Sequence, residues 1–113
     1  METITIPYGK KVKVTVPSDS ETTLTINGAA ISVEKEIPTS GRVVIYLSSI
    51  QNGKAGPEIA IAPLTIGKAE TCKLDYIFEP TNQFILSTKG DKIDVVVHTY
   101  LMNFEKPEIE ILE

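Results

Sequence analysis

One imidazole and one thiol, His98 and Cys72, are the side chains best suited to covalent chemistry, and each occurs once in the 113 residues. A Cys–His dyad needs the base within hydrogen-bond reach of the thiol, so it exists only if the fold brings these two segments together. A lone cysteine more often behaves as a small buried hydrophobe, and the serines have no G-x-S-x-G elbow around them. No catalytic residue is assigned, and an enzyme is not expected.

Metal chemistry is equally thinly equipped. Zinc requires three or four converging Cys, His or carboxylate ligands, and one His with one Cys falls short. Ser18-Asp19-Ser20-Glu21 is a compact acidic loop, but it lacks the alternating oxygen ligands and the glycine of a calcium-binding EF-hand. Gly9-Lys10-Lys11, Gly53-Lys54-Ala55 and Gly67-Lys68-Ala69 lack the hydroxyl residue and the following helix of a phosphate-binding loop. Neither a metal nor a cofactor is expected.

Sugar binding on a β-scaffold relies on exposed aromatic platforms. The chain has no Trp, three Phe and four Tyr. Tyr76, Phe78 and Phe84 are expected to be buried, which leaves Tyr8, Tyr46, Tyr100 and Phe104 for contact. A small-ligand or carbohydrate module using Tyr46, Tyr100 and the 52–57 loop is the alternative reading.

The net charge of −4 is spread along the chain, without the basic stripe that displaces counterions from a nucleic-acid backbone. Nucleic acid is therefore not an expected partner. A single cysteine forms no intramolecular disulfide, so the fold does not depend on an oxidising compartment. METITIPYGKK lacks the basic and apolar regions of a secretion signal, and no apolar run approaches the roughly 18–20 residues that span a bilayer. These features predict a cytoplasmic or virion location, away from membranes.

The elements that would position these residues are strands. Seven prolines and seven glycines interrupt the chain at short intervals and leave few windows for a helix. Between them apolar residues recur with period two: Ile4 and Ile6; Val12, Val14 and Val16; Leu24 and Ile26; Ile31 and Val33; Val43, Ile45 and Leu47; Ile59 and Ile61; Leu74, Tyr76 and Phe78. Asn27-Gly28 carries the strongest hairpin signal, and Lys89-Gly90-Asp91 is a second tight turn, joining 83–88 to 92–102. The segment 91–106 also fits a helical period. Its core, Ile-Asp-Val-Val-Val-His-Thr-Tyr, is β-branched and aromatic, which favours a strand.

Together these signals predict an all-β fold: a single-domain antiparallel β-sandwich over residues 1–113, jelly-roll or immunoglobulin-like, with about nine strands. Two of those strands are apolar on both faces. Ile93, Val95, Val97, Thr99 and Leu101 form one face of the histidine-bearing strand, whereas Val96, His98, Tyr100 and Met102 lie on the other. In the strand around residue 45, Val44 and Tyr46 lie opposite Val43, Ile45 and Leu47. A solvated face should be polar, so Val44, Tyr46, Val96, His98, Tyr100 and Met102 are the candidate interface. The expected function is a non-enzymatic structural or assembly protein, self-associating or binding another protein through that surface, with a virion or tail component as one form of it. The terminal segments Thr3–Ile6 and Glu108–Leu112, each beside a proline, are candidate edge strands.

Overall fold

A computed structural model describes residues 2–16, 23–32, 40–79, 82–101 and 108–112. Among them run ten strands: β1 (Glu2–Ile6), β2 (Lys11–Thr15), β3 (Leu24–Ile31), β4 (Arg42–Gln51), β5 (Lys54–Ala55), β6 (Ile59–Thr65), β7 (Thr71–Phe78), β8 (Gln83–Gly90), β9 (Val95–Leu101) and β10 (Glu108–Leu112). Every pairing is antiparallel. The first sheet has the order β1-β9-β3-β7; the second runs β10-β2-β8-β4, with β5 and β6 side by side along the far edge of β4. Across the sandwich, β1 packs on β8 and β7 on β6.

The core lies between the sheets and is filled by the period-two residues. Ile4, Ile6, Val12, Val14, Leu24, Ile26, Val43, Ile45, Leu64, Leu86, Val95 and Val97 are all buried in it. Among the described residues Phe84 is the largest side chain fully enclosed, and its ring stacks on Phe78 with centroids 4.0 Å apart. The histidine-bearing segment is a strand, with Val95, Val97 and Thr99 inward and Val96, His98 and Tyr100 outward. β1 and β10 are indeed edge strands, one in each sheet.

Successive strands mostly change sheet: β1, β3, β7 and β9 belong to one, and β2, β4, β8 and β10 to the other. This alternation overturns two turn expectations. Lys89-Gly90-Asp91 carries the chain from β8 across to β9 in the opposite sheet, so it closes no hairpin. Asn27-Gly28 lies inside β3 as an irregularity: between Ile26 and Gly28 the register shifts against both β7 and β9, and Asn27 has no partner residue on either side. Gly28 is there for a close approach, since a Cβ on it would lie 2.8 Å from the Cys72 carbonyl oxygen.

The tight hairpin is at the other Asn-Gly pair. β4 and β5 stay in one sheet, and Asn52 (φ 53°) and Gly53 (φ 78°) join them with positive φ at both central residues, as a type I′ turn requires.

Candidate functional site

The expected interface residues fall on two different surfaces. β4 and β9 belong to opposite sheets, so Val44 and Tyr46 face outward on one side of the molecule and Val96, His98 and Tyr100 on the other. Met102 lies outside the described residues, as do Phe104 and the acidic loop Ser18–Glu21.

The β4 side is polar and internally paired. Glu58, just before β6, accepts a hydrogen bond from Ser87 Oγ at 2.9 Å and one from Lys89 Nζ at 3.2 Å, with Lys11 Nζ 3.9 Å away. Those bonds hold its carboxyl below the usual glutamate value, the Ser87 hydroxyl most and the Lys89 bond next. The Lys89 ammonium in turn lies 4.7 Å from the centre of the Tyr46 ring, a cation–π contact. Val44 is flanked by Pro63 on β6 and Lys89 on β8. The apolar reverse side of β4 is therefore covered by its own neighbours.

The β9 side is different in character. Register places Thr5, Val96, Ala30 and Thr71 in one row across the four strands, and Thr3, His98, Gly28 and Lys73 in the next. Tyr100, Thr25 and Ile77 form a third row, in which Tyr100 and Ile77 are exposed. Lys73 is the only charged side chain in these rows.

Cys72 and His98 approach each other without forming a dyad. Cys72 pairs with Ala29 and turns toward the core, whereas His98 pairs with Gly28 and turns outward. The thiol's bond is to the Lys73 carbonyl oxygen, at 3.3 Å. Tyr46 and Tyr100, the pair expected to bracket a sugar, lie on opposite faces of the sandwich.

Periodicity did not reveal a further pair of surfaces, at the two lateral edges. On β10, Ile109 pairs with Val14 and Ile111 with Val12, so all four share the inward face of the second sheet. The valines are fully buried, yet Ile109 is 47% and Ile111 54% exposed. The edge of the opposing sheet, β1, packs on β8, two strands in from β10, and leaves the isoleucines uncovered. At the other edge Ile59 pairs with the inward Leu47 and Tyr76 with the inward Ile26, but Ile59 is 59% and Tyr76 36% exposed. The expected burial of Tyr76 fails because, among the described residues, β7 is an edge strand with β3 on one side only. The apolar layer thus comes to the surface as a seam at each edge.

Among the described residues, no group of three or more His, Cys, Asp or Glu side chains is gathered as a metal site, and no helix is long and apolar enough to cross a membrane.

This sandwich is of a known kind. Residues 3–101 match the model of the nucleoplasmin-like domain, and the chain belongs to that family, whose fold is a jelly-roll-like β-sandwich. Among solved structures it is similar to the nucleoplasmin-like N-terminal domain of Drosophila FKBP39, with 17% identity and a TM-score of 0.58 over 93% of this chain and 90% of that one. No curated protein matches the sequence. Membership places the chain in a family of oligomerising, protein-interacting modules with a non-enzymatic role in assembly. It lends no support to a virion or tail component.

Proposed function

We propose that this chain is a self-assembling module whose copies join head to tail, the Ile109–Ile111 seam of one packing against the Ile59–Tyr76 seam of the next. The observation that carries this reading is the pairing of two exposed apolar seams on opposite edges of one molecule. Two different, complementary patches make a heterologous contact, which propagates from copy to copy and ends only when a ring closes. Nucleoplasmin-like domains form homo-oligomers, pentamers among them, and bind proteins such as histones. A five-membered ring is accordingly the assembly proposed here, acting as a scaffold or chaperone for another protein, in the nucleus or cytoplasm as is typical of the family. Residues 1–113 act in it as one domain.

Energetics support the seams over the β4 face. Full burial of an isoleucine is worth about 1.5–3 kcal/mol, so half-exposed Ile109, Ile111 and Ile59 each stand to contribute on the order of 1 kcal/mol per contact. The outer face carrying Val96, His98 and Tyr100 stays free in such a ring to receive the client protein.

The test is complementation between two variants. Ile109→Glu with Ile111→Glu disables one seam, and Ile59→Glu with Tyr76→Glu the other. Light scattering should give a ring for the unaltered chain, monomers for each variant alone, and a heterodimer that grows no further when the two are mixed. Homodimers of either variant alone, or an unaltered chain that is monomeric at high concentration, would overturn the reading.

A further inference from the structure

A depression of ≈ 330 Å³ opens on the outer face of the first sheet, lined by Asn27, Gly28, Ala30, Thr71, Lys73 and His98. It exists because Gly28 has no side chain. In the row His98–Gly28–Lys73 the imidazole and the ammonium rise from strands on either side of β3, about 10 Å apart by two strand spacings. The floor between them is bare backbone and the Ala30 methyl, and at the end nearest the strand irregularity stands the exposed amide of Asn27.

The side chains of Asn27, Lys73 and His98 make no hydrogen bond or ion pair among the described residues, although ion pairs occupy Lys11 and Lys89 on the opposite face. Each of the three offers an N–H donor; an imidazole does so in either charge state. The donors flank a mostly apolar hollow. A group that suits this arrangement is an anion small enough to sit between Lys73 and His98 and attached to something greasy that covers Ala30. Phosphate is the poorer match, because such sites present a nest of backbone N–H groups, a helix N-terminus or a bidentate arginine, and none of these lines the depression.

We propose that this depression binds a carboxylate carried on a short aliphatic stem, held between Lys73 and His98 with the Asn27 amide as a third donor and the stem lying on Gly28 and Ala30. Gly28 is a specificity element in this site, since a methyl group there would both fill the hollow and press on the Cys72 carbonyl oxygen. Two sources supply such a group: a free short-chain carboxylic acid, and a glutamate side chain of an acidic polypeptide. The site is independent of the seam contact, because none of its residues belongs to either seam.

The experiment is a nitrogen-15 NMR titration of the full chain with sodium butyrate, with a short polyglutamate peptide, and with sodium chloride at matched ionic strength. Saturable shifts at residues 27–30, 71–73 and 98 with a carboxylate, but not with chloride, are expected. Saturation by butyrate identifies a free-acid site; saturation by the peptide alone identifies an acidic segment. Lys73→Gln and His98→Phe, both at side chains outside the core, should each weaken binding by about tenfold, the loss of one charge-assisted or imidazole hydrogen bond. Shifts no larger than those with chloride, or a binding midpoint unchanged in Lys73→Gln, would overturn the assignment.

Discussion

Asp91 grips the backbone of Arg42 at both of its polar atoms: the Arg42 N–H donates to Asp91 Oδ2 at 2.8 Å, and the Asp91 N–H donates to the Arg42 carbonyl oxygen at 3.0 Å. The two residues stand at the point where the chain leaves β8 for the opposite sheet, so the grip ties the crossing to the first residue of β4. Asp91→Ala removes the side-chain half, and a loss of about 1 kcal/mol in urea unfolding is expected, with most of it recovered by Asp91→Asn.

Glu58 makes stability depend on acid. Its folded carboxyl is held below the ordinary value of 4.5 by Ser87 and Lys89, so the ionised form is the one the fold favours. The contribution is complete at neutral pH and down to that ordinary value; it fades as pH falls further, through the lowered one. Thermal melts of the unaltered chain and Glu58→Gln should differ near neutral pH and converge in acid. A gap that widens on acidification would contradict the assignment.

The two Asn-Gly glycines should both be costly to replace, for different reasons. Gly53→Ala strains a positive-φ turn position with nothing near its side chain, and should cost about 1 kcal/mol. Gly28→Ala drives a methyl group to 2.8 Å from backbone that cannot swing away, and should cost about 1–3 kcal/mol while shifting the β7 resonances. Asn27→Ala touches neither ladder and should leave the unfolding midpoint nearly unchanged.

Phe84 is the deepest aromatic among the described residues and holds the half-buried ring of Phe78. Phe84→Ala should destabilise by about 3–5 kcal/mol in denaturant titration, the range for emptying a large core site.

The strands were legible because alternation is a property of each strand by itself. Val12, Val14, Val43, Ile45, Val95 and Val97 declare an inward face without reference to any neighbour. Sheet membership was not legible, since nothing within Val43–Leu47 or Val95–Thr99 tells which sheet either joins. Residues read as one patch, Val44 with Val96 and Tyr46 with Tyr100, therefore stand on opposite sides. The same gap explains the two Asn-Gly pairs: each is able to turn, but only 52–53 joins strands that pair with one another. The edge position of 108–112 was expected from its proline, but the exposure of Ile109 and Ile111 on the inward face was not, because it depends on how far the opposing sheet extends.

Among the described residues β1 has a single sheet partner, and that partner is β9. Glu2 meets Thr99 and Ile6 meets Val95, so this pairing joins segments far apart in sequence and cannot form before β9 is in place. Such distant pairing carries a large loop-closure cost and slows folding. Closure of the β1 edge of the first sheet therefore waits on residues 95–101, however early the other strands take shape.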